Sequence, residues 1–314
     1  MSEAMIGAAI CGDAAQVRAL LADDPSLANC RDPHLGCVPL IYAAHRGHLE
    51  VMQVLLAGGA EVDARETGSW TTALHWAAEG GHAGAAQMLL EAGAEIEAVD
   101  QWFGLTPLGW GTAVDWAPEF RCNRPATVEL LLARGARLDP FSAIVLEDGE
   151  TLRTMAPERL EQRLGFAAEG QQPLHFAAAR GNARLARLLV ELGAGLNERS
   201  GFGLTPLAEA VRAGQAETAA ALRAAGAAED LGSALLAGNL ELARTFRPPP
   251  ADARLLQVCV AAGLVEAVRV LLEMGADRRA VAPYLIDEVR QEVTAPRLAE
   301  LRQDRAMIEL FSAA

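Results

Sequence analysis

The sequence contains no lysine, and all 27 of its basic residues are arginine. This absence excludes Schiff-base catalysis by a lysine amine, a lysine-anchored pyridoxal phosphate and the lysine of a phosphate-binding loop. No apolar run reaches the roughly 18 residues of a membrane-spanning helix. The first residues, MSEAMIGAAICGD, show no basic segment followed by a hydrophobic run. We therefore expect neither a signal peptide nor a membrane partner.

Cysteine is also scarce, and its five residues form no CxxC pair. We interpret them as reduced thiols of a cytoplasmic protein that acts as a monomer. The histidines, cysteines and carboxylates have no spacing typical of metal ligands. The sequence also lacks GxSxG, HExxH and GxGxxG motifs, so we expect no metal and no cofactor.

Acidic residues exceed basic ones by 41 to 27, which gives a net charge of −14. A chain of this charge repels phosphate backbones, so nucleic acid is not an expected partner. The excess is uneven, because residues 1–139 hold 18 acids and 8 Arg, whereas residues 140–314 hold 23 and 19. The N-terminal part therefore suits a cationic ligand or partner.

A phrase recurs along the chain with starts at residues 38, 72, 106, 172 and 205. The separations are 34, 34, 66 and 33 residues, and 66 is two periods. A second apolar stretch and a Gly-Ala pair follow each phrase. The five copies read VPLIYAAHRGH, TALHWAAEGGH, TPLGWGTAV, QPLHFAAARGN and TPLAEAVRAGQ.

This pattern resembles the ankyrin repeat, because TPLHxAAxxGH followed by LLxxGA recurs at a period of 33 or 34 residues. The resemblance implies an all-α solenoid of helix–turn–helix units with projecting β-turn fingers and a concave groove. It also implies structural hydrogen bonds for the histidines of the phrase: His48, His75, His82 and His175. One such unit cannot bury its own apolar face, but a stack of units can.

We predict a single solenoid of about nine repeats over residues 1–314. Residues 1–32 form an N-terminal capping repeat, and residues 33–139 form regular repeats that end in an irregular, Trp-rich fourth repeat. Repeats five to seven occupy residues 140–228. Residues 229–314 hold degenerate repeats and a C-terminal cap, with a charged helical pattern over residues 283–311.

The fourth repeat departs from the pattern. Thr72 to Gly93 spans 21 residues in the third repeat, whereas Thr106 to Gly135 spans 29 in the fourth. The eight added residues lie mostly between the two predicted helices, around DWAPEFRCNRPA. The finger expected after Gly135 is missing. Irregular loops on a rigid repeat scaffold commonly carry binding, so we expect the ligand near this repeat.

Tryptophan is concentrated in the same place, because all five residues fall within 47 positions. Trp70 and Trp102 occupy finger positions, with Phe103 beside Trp102, and Trp116 lies in the inserted loop. The resemblance makes the fingers ligand-facing, so we expect these residues to contact a ligand. Two further tryptophans follow the LH or LG of the phrase, where inter-repeat packing is the alternative to ligand contact: Trp76 and Trp110.

Polar candidates accompany these aromatic residues. His45, next to Arg46, and Glu79 follow the alanine pairs of their repeats, on the groove-facing side that the resemblance implies. Asp115 lies between Val114 and Trp116. It either caps a helix that starts at Pro118 or acts as a functional carboxyl group among indoles. In the second case it would serve as a protonated general acid or, ionised, would hold a cation.

Two functions remain open. The first is a binding scaffold that recognises a protein, a peptide or a cationic or apolar small molecule through the Trp-rich groove of repeats two to four. The second is an enzyme that promotes cyclisation or isomerisation, with Asp115 as acid or base and His45 or Glu79 as its partner. Fold alone licenses no chemistry, and most ankyrin stacks act by recognition.

Overall fold

The computed structural model describes residues 1–112, 125–165, 170–247, 254–286 and 289–313. The chain forms two compact units, an N-terminal unit (Met1–Thr151) and a C-terminal unit (Leu152–Ala314). Asp115, Trp116 and the inserted loop around them lie outside the described residues.

The N-terminal unit consists of helical hairpins and one 3-10 turn (Pro25–Asn29). Its helices are α1 (Ser2–Cys11), α2 (Ala14–Asp23), α3 (Pro39–Arg46), α4 (Leu49–Ala57), α5 (Ala73–Glu79), α6 (Ala83–Glu91), α7 (Pro107–Thr112), α8 (Pro125–Ala133) and α9 (Pro140–Val145). Helix α10 (Gly149–Thr154) follows α9.

The hairpins of this unit stack in sequence order. The odd-numbered helices form one row, in which α1 contacts α3, α3 contacts α5, α5 contacts α7 and α7 contacts α9. The even-numbered helices α2, α4, α6 and α8 form the second row in the same order. This arrangement is the predicted all-α repeat solenoid, seen within the unit.

Small and branched apolar residues explain why the rows pack closely. The alanine pair Ala77 and Ala78 on α5 is fully buried, and so is Leu89 on α6. Gly47 ends α3 with a φ of 70°, in the left-handed region that glycine tolerates. A Cβ at Gly47 would lie 2.6 Å from Nδ1 of His82 in the next repeat, so close packing against His82 also requires glycine at position 47.

The C-terminal unit continues the same architecture. Its elements are α11 (Pro157–Leu160), α12 (Pro173–Arg180), α13 (Ala183–Glu191), α14 (Pro206–Arg212), α15 (Ala216–Ala224), α16 (Leu231–Leu236), α17 (Leu240–Ala243), α18 (Arg254–Ala261), α19 (Val265–Glu273), β1 (Val281–Ile286), β2 (Val289–Thr294), α20 (Ala295–Leu301) and α21 (Arg305–Ala313). The even-numbered helices α12 to α20 contact one another in order. Helices α16–α17 and α18–α19 fall within residues 229–314, for which degenerate repeats are predicted.

The prediction of a helical pattern from residue 283 is wrong for its first part. Strands β1 and β2 pair antiparallel, with Val281 opposite Thr294. The β-branched residues of VAPYLI and VRQEVT favour strands, and Pro283 disfavours a helix interior. The buried side chain of Gln257 donates hydrogen bonds to the carbonyl groups of Ala282 and Val293 and so anchors the hairpin to α18. Helices α20 and α21 follow the hairpin.

Candidate functional site

Three loops precede helices α3, α5 and α7 of the odd-numbered row, whose members we call the inner helices: finger 1 (residues 32–38), finger 2 (residues 66–72) and finger 3 (residues 100–106). The backbone joins each finger to the next. Thr67 N donates to Leu35 O at 3.0 Å, and Gln101 N donates to Ser69 O at 2.7 Å. The fingers therefore form one continuous row. Only residues 134–139 separate α8 from α9, which agrees with the predicted loss of the next finger.

An acidic residue lies at the base of each finger, seven residues before the first residue of the inner helix. These acids, spaced by 34 residues, are Asp32, Glu66 and Asp100. Asp100 accepts backbone hydrogen bonds from Trp102 at 2.6 Å, Phe103 at 2.7 Å and Leu105 at 2.9 Å. One carboxylate thus holds finger 3 in its turned conformation.

The pKa values of Asp32 and Asp100 shift in opposite directions. Burial raises the pKa of Asp100 above its ordinary value, although four donors oppose that effect. Burial acts in the same direction on Asp32, but donors from three backbone amides and from Tyr42 outweigh it and lower the pKa of Asp32. The less buried finger acid is therefore held in its ionised form by its hydrogen bonds.

Arginine side chains join successive fingers a second time. Nη1 of Arg31 donates to Gly36 O at 2.6 Å and to Arg65 O at 2.7 Å. Nη1 of Arg65 donates to Trp70 O at 3.2 Å and to Val99 O at 2.9 Å. Each guanidinium bonds one carbonyl in its own finger and one at the base of the next.

Aromatic residues occupy one register of the inner helices, ten positions after each finger acid. Tyr42 donates from its hydroxyl to Asp32 at 3.2 Å, and Trp110 donates from Nε1 to Asp100 at 2.9 Å. Trp76 donates from Nε1 to the hydroxyl of Thr71 at 2.8 Å. The polar atom of each ring is thus bonded within the fold.

The rings also contact one another across three repeats. The ring centroids of His45 and Trp76 are 4.9 Å apart, and those of Trp76 and Trp110 are 5.4 Å apart. Phe103 meets Trp110 edge to face at 5.7 Å, as does His75 on another side. We call the line His45–Trp76–Trp110–Phe103 the aromatic row. Edge-to-face contacts of this kind stabilise a fixed arrangement of rings.

Exposure varies among the predicted ligand contacts. Trp70 is 48% exposed, whereas Trp110 is fully buried. Trp76, Trp102 and Phe103 are partly buried. Trp110 has no exposed surface with which to touch a ligand, so the prediction of ligand contact is corrected there in favour of inter-repeat packing.

The predicted polar residues lie at the His45 end of the aromatic row. Nε2 of His45 is 3.5 Å from Oε2 of Glu79, and both side chains are partly exposed. Arg46, the next residue, is exposed. The structure therefore brings His45, Trp76 and Glu79 together. Asp115 and Trp116, which the prediction joined to them, lie outside the described residues.

The histidines of the repeated phrase bond between repeats, as the resemblance implied. Nε2 of His48 lies 3.0 Å from Ile10 O, and Nε2 of His82 lies 3.0 Å from His45 O. His75 accepts from Thr72 N at Nδ1, at 3.1 Å, and its Nε2 lies 3.3 Å from Leu105 O. This arrangement assigns the remaining proton of neutral His75 to Nε2. Burial lowers the pKa of His75 to about 3, so the ring is neutral near pH 7.

The C-terminal unit carries different side chains in the aromatic register. Phe176 has the Arg180 guanidinium over its ring at 5.2 Å. In the next repeat the register position is Glu209, which is fully buried and bonded to Arg212 at 2.7 Å. The two units therefore present different chemistry, and the predicted site belongs to the N-terminal unit.

Stacked helical hairpins with fingers joined by backbone and arginine hydrogen bonds define a repeat scaffold. The sequence profile of the family described as ankyrin repeats, in three copies, matches residues 5–100 and 123–233. This match covers more than half of the chain, which therefore belongs to the ankyrin-repeat family. Ankyrin repeats mediate protein–protein binding. A search of curated proteins found no match.

Sequence reasoning missed the finger acids and the finger arginines. Their signal was present, because Asp32, Glu66 and Asp100 recur at the repeat period and an arginine precedes the first two. These acids and arginines lie six or seven residues before the repeated phrase, outside the pattern that defines the repeat. In the described ranges, no helix has both the length and the apolar character needed to cross a membrane.

Proposed function

We propose that this chain is a protein-binding scaffold whose N-terminal unit recognises a basic, partly apolar segment of a partner protein. The binding surface would comprise the partly exposed end of the aromatic row with Glu79 and Arg46, together with Trp70, Trp102 and Phe103 on the fingers. The observation that carries the proposal is the aromatic row itself. It crosses three repeats and brings His45, Trp76 and Glu79 to a partly exposed end.

Indole rings beside a carboxylate suit a cationic side chain. The face of an indole attracts guanidinium and ammonium groups, and a neighbouring carboxylate adds a charge-assisted hydrogen bond. Aromatic residues also dominate the binding energy of many protein interfaces. Trp76 and Glu79 lie one helical turn apart on α5, and both are partly exposed.

The surrounding charge favours the same partner. Residues 61–101, which include finger 2, α5 and α6, contain one arginine and eight acidic residues, six of them at least partly exposed. An acidic surface speeds the approach of a basic partner and disfavours an acidic one. We therefore assign the partner segment an excess of arginine or lysine with at least one apolar side chain.

The catalytic hypothesis depends on Asp115, which lies outside the described residues, and it stays a prediction. His45 and Glu79 alone form a partly exposed pair at 3.5 Å, a common arrangement in binding surfaces as well as in active sites. The family assignment favours recognition.

Binding can be tested with fluorescently labelled synthetic peptides and fluorescence anisotropy. The set contains a basic peptide with apolar residues, an acidic peptide with the same apolar residues, and tetramethylammonium as a competing small cation. The proposal expects the basic peptide to bind more tightly than the acidic peptide. It also expects Glu79→Gln and Trp102→Ala each to weaken binding about tenfold.

Two matched variants in the C-terminal unit serve as controls. Glu217→Gln removes an equally charged, exposed carboxylate, and Phe202→Ala removes a partly buried aromatic ring from a finger. Both should leave affinity unchanged. Equal affinity for basic and acidic peptides would contradict the proposal. Full displacement by tetramethylammonium at low concentration would identify a small-cation site instead.

A further inference from the structure

One position in the fingers breaks a rule that the other fingers obey. Three residues before the first residue of the inner helix, the backbone takes a left-handed conformation in five fingers. The residues there are Gly36, Trp70 and Gly104 in fingers 1 to 3, and Gly170 and Gly203 in the corresponding fingers before α12 and α14, with φ values of 65°, 62°, 69°, 62° and 76°. Four of them are glycine, and the fifth is tryptophan.

Tryptophan is an unfavourable choice for this conformation. A Cβ crowds the backbone when φ is positive, and glycine avoids that cost. About half of Trp70 stays in contact with solvent, at 48% exposure, so burial accounts for only part of this large side chain. Trp70 interacts with Arg65, whose Cζ lies 5.9 Å from the ring centroid and whose Nη1 bonds the Trp70 carbonyl. The carbonyl bond needs no side chain at residue 70.

A second position in the fingers also departs from the repeat pattern. The residue before the finger acid is Arg31 in finger 1 and Arg65 in finger 2, but Val99 in finger 3. Val99 is also 48% exposed, and its carbonyl is bonded to the same Arg65 nitrogen as that of Trp70. One guanidinium therefore joins the backbones of two residues whose apolar side chains are exposed.

The charge around this pair is negative. The guanidinium of Arg65 is paired with Glu95 at 3.4 Å, and Arg65 is the only arginine among residues 61–101, where six acids are at least partly exposed. An apolar patch inside an acidic surface complements a basic segment that offers an apolar side chain.

We infer that Trp70 is the specificity-determining anchor for a basic polypeptide segment of the partner, with Val99 completing its apolar contact. This inference rests on the proposed function and names the residue on finger 2 that selects the partner. The partner inserts an apolar or guanidinium group against the indole, and its remaining basic residues meet the surrounding carboxylates. Strain retained at an exposed residue is characteristic of positions kept for binding.

Trp70→Gly tests the inference, because it restores the residue that the other four fingers use. The expected result is a midpoint of thermal unfolding equal to or above that of the unsubstituted chain, together with about tenfold weaker binding of the basic peptide. Val99→Arg should weaken binding in the same direction. Leu301→Ala removes a comparably exposed apolar side chain from α20 and should change neither quantity.

The outcomes separate this inference from the proposed function. If Trp70→Gly binds the basic peptide as well as the unsubstituted chain while Glu79→Gln does not, the anchor inference fails and the proposed function stands. If Trp70→Gly lowers the unfolding midpoint, the indole is structural and the inference also fails. If the unsubstituted chain does not prefer the basic peptide, both fail.

Discussion

Nε1 of Trp110 donates a hydrogen bond to Oδ2 of Asp100 at 2.9 Å, and both residues are almost completely removed from solvent. The same carboxylate accepts from three backbone amides of finger 3. Asp100 therefore joins the finger to α7 and sets the depth at which the Trp110 ring lies between repeats.

Asp100→Ala should be strongly destabilising. It leaves three buried or partly buried amides and the Trp110 Nε1–H without an acceptor, which costs about 3 kcal/mol of unfolding free energy. Trp110→Phe removes only one of the four donors and should cost about 1 to 2 kcal/mol. Urea denaturation of both variants measures the difference. Equal losses would show that the carboxylate holds the ring but not the finger.

Acid should destabilise both units through their buried histidines. Burial lowers the pKa of His75 from 6.5 to about 3 and that of His175 from 6.5 to about 4. Between pH 6.5 and those values the unfolded chain binds a proton that the folded chain does not. The stability contribution is therefore complete above pH 6.5 and falls with pH by at most about 1.4 kcal/mol per unit for each histidine.

Denaturation series at several pH values check this expectation. His75→Gln should be less stable than the unsubstituted chain at pH 7 and should show a shallower loss of stability on acidification. His34→Gln replaces an exposed histidine and is the matched control. Parallel pH profiles for the unsubstituted chain and His75→Gln would contradict the role assigned to burial.

The two partners of the Glu209–Arg212 ion pair should differ in how much stability is lost when each is replaced. Glu209 is fully buried and accepts from Arg212 and from Gln171, whereas the Arg212 side chain is 40% exposed. Arg212→Ala leaves a buried carboxylate without its cation and should cost about 3 kcal/mol. Glu209→Gln lets Arg212 turn to solvent and should cost about 1 kcal/mol. Guanidinium denaturation distinguishes the two, and equal losses would contradict the argument from burial.

Arg65→Ala should loosen two fingers at once. It removes the hydrogen bonds to Trp70 O and Val99 O, which costs about 1 to 2 kcal/mol. Hydrogen exchange should accelerate at the backbone amides of residues 67–71 and 99–105. Arg18→Ala, which breaks an exposed pair with Glu50, should cost less than about 0.5 kcal/mol. Unchanged hydrogen exchange in finger 3 would show that the Arg65 hydrogen bonds do not couple the two fingers.

The repeat period predicted the helical hairpins well, because each phrase carries its own start, turn and end signals. Gly47, Gly81 and Gly181 end inner helices with positive φ at the predicted turns. The β1–β2 hairpin was not predicted, since its charged residues resemble an exposed helix face. The choice of a strand also depends on contacts with Gln257, which is distant in sequence.

The sequence grouped the candidate residues in one region of the chain, but their exposure could not be predicted from it. Trp76 and Trp110 share one register, yet the first is partly exposed and the second is fully buried. Burial depends on which neighbouring residues cover the ring, and Phe103 of the finger before α7 contributes to that cover at Trp110. The positive φ of Trp70 could be suspected only by aligning the fingers themselves, because the repeated phrase begins after them.

The order of the links between fingers has a consequence for how such a surface can change. Arg31 before finger 1 bonds the base of finger 2, and Arg65 before finger 2 bonds the base of finger 3, so finger 2 is the middle member of the row. An insertion in finger 2 would separate the other two, whereas a longer finger 1 or 3 would disturb a single junction. New specificities can therefore evolve at finger 2 by side-chain replacement, while changes of loop length are better tolerated at the ends of the row.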